Sequence, residues 1–159
     1  MTSSRSVLSL ILALSTLAPS ARAAAPVTVQ TVVADYAKVH DALARDTLEG
    51  VPEAAGRIAD GAAKMRAPEG FADLPKQVVE GAKAVAAAKD IKAARAAFKS
   101  LSTPLVAWAL ASKAPNLVAI HCSMANASWL QASLPIRNPY YGASMLACGE
   151  VLAAASSAH

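Results

Sequence analysis

DIKAARAAFKSLSTPLVAWALAS, residues 90–112, is the stretch from which the fold reads most directly. Ile91, Ala94, Phe98, Leu101, Leu105 and Trp108 recur at alternating intervals of three and four residues. That spacing places all six on one face of a helix and is the pattern of a helix–helix seam. Asp90 stands just ahead of the run, where its side chain can accept the free amide hydrogens of the first turn. Pro104 lies inside it. A proline there has no N–H for the carbonyl of Ser100 and predicts a kinked or split helix.

Working outward, three more stripes of the same kind precede this one. Val29, Val32, Val33, Tyr36, His40 and Leu43 share a face of a first helix over about residues 27–47. Gly50 fits its stop, and Pro52 fits the first turn of a second helix carrying Val51, Ala55, Ile58, Ala62 and Met65. Residues 66–73, RAPEGFAD, carry turn chemistry. Leu74, Val78, Ala82 and Val85 then mark a third helix. Alanine, the best helix former, is abundant, and runs of β-branched residues are lacking. The predicted fold is all-α, an up-down bundle of about four helices followed by a C-terminal loop-and-short-helix segment.

The N-terminus reads as an address. Arg5 precedes the apolar run Val7–Leu17, which is too short for a bilayer span of about 20 residues. Pro19 and Ser20 break the run, and Ala21-Arg22-Ala23 fits a signal-peptidase site. Residues 1–23 are therefore predicted to be a signal peptide, and residues 24–159 a single exported helical domain without a membrane span. In a Gram-negative cell that domain is periplasmic. Losing Arg5 and Arg22 lowers the net charge from +4 to +2. The remaining basic residues are spread along the helices, which excludes the concentrated footprint of a nucleic-acid binder.

After Ser112 the character changes. HCSMANASWLQASLPIRNPYYGASMLACGEV, residues 121–151, holds both cysteines, Met124, Met145, Trp129, Tyr140 and Tyr141. A purely structural segment does not need such a concentration. Cys122, Met124, Trp129-Leu130-Gln131, Asn138-Pro139-Tyr140-Tyr141-Gly142 and Met145-Leu146-Ala147-Cys148-Gly149 resemble a family of periplasmic domains of unknown function. Those domains occur alone or at the C-terminal end of heavy-metal efflux adaptor proteins, the periplasmic subunits of copper and silver export pumps. Ser123 stands where that family usually has proline. Tyr36, Leu43 and Asp46 are also in register with the family's opening helix. The resemblance implies a helical domain linked to metal handling, with an efflux adaptor or another periplasmic protein as partner.

The chemistry of the tail agrees with that implication. Thiolate and thioether sulfurs select soft ions such as Cu(I) or Ag(I). Met145 and Cys148 are one helical turn apart, and Cys122 and Met124 fall on one side of an extended segment. His121 can add an imidazole, although on a strand it points away from Cys122. Trp129, Tyr140 and Tyr141 would shield such a site. The candidate metal ligands are thus Cys122, Met124, Met145, Cys148 and His121. The competing reading is a Cys122–Cys148 disulfide in a structural or interaction domain without metal, worth about 3 kcal/mol. His40, on the apolar stripe, reads as a hydrogen-bonded core residue. Asn138–Gly142 reads as a tight turn placing the last helix. No nucleophile–base pair, paired carboxylates, Cys-x-x-Cys or phosphate loop is present, and the protein reads as a non-enzyme.

Overall fold

The computed structural model describes residues 27–154. The predicted signal peptide, residues 1–23, lies outside the described residues. The chain forms α1 (Val29–Ala44), α2 (Val51–Ala63), α3 (Leu74–Ala86) and α4 (Ile91–Ser112). The apolar stripes are the buried faces: Val32, Tyr36 and Leu43 of α1, Ile58 and Ala62 of α2, Val78 and Ala82 of α3, and Phe98, Leu101 and Leu105 of α4 are almost fully covered. Asp90 caps α4 as its position predicts, accepting the Ala93 amide hydrogen at 2.8 Å. Gly50, at φ +71°, makes the left-handed entry to α2. Pro104 does not split α4, which is continuous on both sides of it. The Thr103 hydroxyl donates to the Lys99 carbonyl at 2.9 Å, next to the gap the proline leaves in the ladder.

The all-α expectation fails from residue 118 onward. Val118–Cys122 (β1), Ala127–Gln131 (β2) and Glu150–Ala154 (β3) form a three-stranded antiparallel sheet in the order β2-β1-β3. Ile120 faces Trp129 on one side and Val151 on the other. The β1–β2 turn runs over residues 123–126 and closes through the Asn126 amide on the Ser123 carbonyl at 3.1 Å. Asn126 adopts φ +44°, a left-handed conformation asparagine tolerates. The expected C-terminal loop-and-short-helix is likewise corrected. A short 3-10 turn, Gly142–Met145, leads instead into strand β3. The segment Glu-Val-Leu-Ala-Ala has adequate helix propensity, but the open edge of β1 offers its backbone a ladder of partners, and tertiary pairing overrides a weak local preference.

The sheet also changes how the helices close. Consecutive helices pack on one another, giving a bundle-like layer, while α1 and α4 touch little directly and β2 packs on α4. Aromatic rings bridge the gap. Tyr36 of α1 stacks on Phe98 of α4 with centroids 4.9 Å apart, Phe98 meets Tyr140 at 6.0 Å, and Tyr140 meets Trp129 of β2 edge-on at 5.9 Å. The Tyr36 hydroxyl pairs with the Ser102 hydroxyl at 2.7 Å and accepts the Leu130 amide hydrogen at 3.2 Å. One buried phenol thereby ties α1, α4 and β2 together.

Candidate functional site

The site begins with β1. Cys122 is its last residue and points into the core, 1 % exposed. Cys148 comes from the other end of the tail, just after the 3-10 turn, where its amide donates to the Met145 carbonyl at 2.9 Å. Two residues set its position. Asn138, fully buried, donates from its side-chain amide to the Cys148 carbonyl at 2.8 Å, and its backbone amide donates to the Leu146 carbonyl at 2.7 Å. Its side-chain oxygen accepts the Tyr140 amide hydrogen at 2.8 Å. Gly149 lies flat on the sheet. A Cβ there would sit 2.8 Å from Ile120 Cγ2 and 2.9 Å from Trp129 Cη2.

This framework brings the two sulfurs to 3.0 Å as free thiols. That separation is longer than the ~2.05 Å of a disulfide and shorter than the ~3.8 Å between two thiolates on one tetrahedral ion with ~2.3 Å bonds. The pair is electrically unequal. Burial pushes the Cys122 thiol up, but this is outweighed by hydrogen bonds from Cys148, the Ala125 amide, the Asn138 side chain and the Met124 amide, so its pKa falls below the ordinary thiol value. Cys148 moves up, chiefly because it is the donor in the bond to Cys122, with burial adding to it.

Of the two cysteines, Cys148 lines a surface cleft and Cys122 does not. Cys148, Gly149 and Glu150 line a cleft of about 240 Å³ together with His121 and Ser123. His121 faces Glu150 across the β1–β3 ladder, and its Nδ1 lies 3.0 Å from the Ser128 hydroxyl. The predicted pairing of Cys122 with Met124 along one extended segment is not realised. The strand ends at Cys122, and Met124 sits in the following turn, 63 % exposed, its carbonyl accepting the Tyr141 hydroxyl at 3.1 Å. Met145 is half-buried one turn before Cys148. Of the five candidate ligands, Cys122 and Cys148 are in contact, and His121 shares the cleft with Cys148. Among the described residues no cluster of three or more His, Cys, Asp or Glu stands ready to hold an ion. A soft ion would therefore rest on the two thiols, with a thioether or an outside donor completing its shell.

His40 is 2 % exposed, with Nε2 at 2.8 Å from the Arg137 carbonyl and Nδ1 at 3.0 Å from the Asp41 carboxylate. Nε2 joins α1 to the loop that follows β2, while Nδ1 pairs within α1. The Asn138–Gly142 segment is a tight turn, but it places the 3-10 turn and Cys148 rather than a helix. A clamp that its residues do not advertise holds it down. Arg95 of α4 donates to the Pro139 carbonyl at 2.8 Å, to the Leu43 carbonyl at 2.9 Å and to Asp46 at 2.6 Å, while Asp46 accepts the Ala143 amide hydrogen at 2.8 Å. Arg95 lies off the apolar stripe of α4, and nothing in its spacing marks these partners. Asn138 was visible as turn chemistry, but its bond to the Cys148 carbonyl depends on a partner ten residues away.

Residues 32–116 match a protein family described as a protein of unknown function, DUF3347. The match runs from within α1 through α4 and ends before β1, so the thiol pair lies beyond it. No curated protein and no solved structure matches the chain. No helix among the described residues is long and apolar enough to cross a membrane.

Proposed function

This chain belongs to the DUF3347 family, and we propose that it is an exported soft-metal module accessory to heavy-metal efflux or homeostasis, carrying Cu(I) or Ag(I) as cargo. The observation that carries the reading is the pair of free thiols 3.0 Å apart, of which Cys148 lines a surface cleft. Two thiolates suit a soft monovalent ion, and the half-buried Met145 stands one turn from Cys148 as a thioether donor. The ion meets Cys148 first, because that sulfur lines the cleft, and is then shared with Cys122 by ligand exchange. Amide donors around Cys122 stabilise its thiolate before the ion arrives. The resemblance of the tail to the C-terminal domains of efflux adaptors supports a periplasmic location and an adaptor as the partner that delivers or receives the ion.

The test is Cu(I) titration of the reduced protein in competition with a chelator. The reading requires one ion per chain held tighter than about 1 μM, with binding abolished in the Cys122→Ser/Cys148→Ser variant and weakened in Met145→Leu. Binding no tighter than that, unchanged by the double variant, would sink it. The second reading, a structural domain locked by a permanent Cys122–Cys148 bridge, is favoured by the burial of Cys122 in the core. Mass spectrometry of protein extracted without reductant separates the two: a bridge in every molecule supports the structural domain, and free thiols support the metal module.

A further inference from the structure

We infer that Cys122 and Cys148 form a thiol–disulfide exchange pair, in which Cys148 is the sulfur that meets an external disulfide and Cys122 is the buried sulfur that resolves the mixed disulfide. This goes beyond metal binding and needs no ion.

Access and distance carry the inference. Cys122 is 1 % exposed on the central strand of the sheet, whereas Cys148 is half-buried and lines the cleft with His121, Ser123, Gly149 and Glu150. An incoming disulfide can approach one sulfur and not the other. The two sulfurs are already in contact at 3.0 Å, and a bond needs an approach of only about 1 Å. The two sides differ in what holds them. β1 is paired on both edges, while Cys148 sits between the 3-10 turn and β3, where among the described residues its backbone is bonded by Asn138 and Met145. The movement therefore falls on the Cys148 side.

The steps balance with a small-molecule or protein disulfide as oxidant. Cys148 passes its proton to the neighbouring Cys122 sulfur and attacks one sulfur of the external disulfide, and the thiolate that leaves takes up that proton. Cys122 then attacks the Cys148 sulfur, expelling the second external thiolate, which takes up the Cys122 proton. One disulfide is reduced to two thiols, and the Cys122–Cys148 pair loses two electrons and two protons. In reverse, an external thiolate attacks Cys148, and Cys122 leaves among the amide hydrogens of Met124 and Ala125.

The test uses the metal-free protein, with a chelator present, in buffers of reduced and oxidised glutathione, read by alkylation and mass spectrometry. The wild-type chain is expected to convert reversibly between dithiol and internal disulfide without accumulating an adduct. Cys122→Ser should accumulate one glutathione adduct, at Cys148. Cys148→Ser should react at least about tenfold more slowly, since its remaining thiol is covered. Equal reactivity of the two variants, or a wild-type dithiol that persists in oxidised glutathione, overturns the inference. A brief pulse of iodoacetamide on native wild-type protein guards against a variant that fails to fold: modification of Cys148 first supports the inference, and modification of Cys122 first overturns it. Because no metal is present, loss of this activity leaves Cu(I) binding standing, and absence of Cu(I) binding leaves this activity standing.

Discussion

At the scale of single residues, chemistry was legible in residue type and role was not. Cys122 and Cys148 stand out in any reading of the chain, but their contact depends on Asn138, whose side-chain bond reaches the Cys148 carbonyl, and on Gly149, which packs against Ile120 and Trp129. Asp46 makes the same point. It sits at the end of α1 as an ordinary surface acid, yet its carboxylate holds the Ala143 amide and the Arg95 guanidinium. Those two partners, the Ala143 amide foremost, lower its pKa below the ordinary carboxylate value. A carboxyl group depressed in the folded state contributes stability above its ordinary value and loses it as pH falls through the lowered one. Asp46→Asn should therefore flatten the acid limb of the stability profile below about pH 4. Thermal melts across that range check it, and an unchanged acid slope would show that the clamp carries no charge-dependent stability.

At the scale of elements, helices were readable and strands were not. Each helix runs long enough for its apolar period to repeat several times, so α1 to α4 emerge from spacing alone. The strands are five residues each. β1 is covered on both sides, so Val118, Ala119 and Ile120 are all buried and no alternation shows. Alanine in β3 argues for helix until a partner strand is in view. The helix pairs have their own close fit. Gly81 of α3 lies against α4, and a Cβ there would come 2.7 Å from Leu101 Cα. Backbone at that distance cannot turn aside, so Gly81→Ala should push α3 from α4 and destabilise the fold by about 1–3 kcal/mol. Chemical denaturation measures this directly. A neutral or stabilising result would mean that the two helices slide apart without loss.

At the scale of the whole molecule, the tail completes the core rather than decorating it. The Tyr36–Phe98–Tyr140–Trp129 chain of rings fills the space a closed four-helix bundle would give to its first and last helices. A Cys122–Cys148 bond would tie the middle of the sheet to the segment that enters β3. Oxidation should raise stability by about 3 kcal/mol through the closed loop. The double serine variant should match the reduced wild type within about 1 kcal/mol and lose the gain on oxidation. Urea denaturation with and without reductant checks both halves. A double variant far less stable than the reduced protein would show that the thiols matter for packing more than for bonding.

By itself the sequence determined the four helices, their buried faces, the cap at Asp90 and the concentration of sulfur side chains in the tail. These follow from local periodicity, local hydrogen bonding and side-chain chemistry, all of which act within a few residues. Only the tertiary structure decided that residues 118–154 pair as a sheet, that α4 runs unbroken through Pro104, and that Cys122 is covered while Cys148 lines a cleft. Strand pairing and sulfur contact join residues far apart in the chain. Their energy comes from partners that no window of sequence contains.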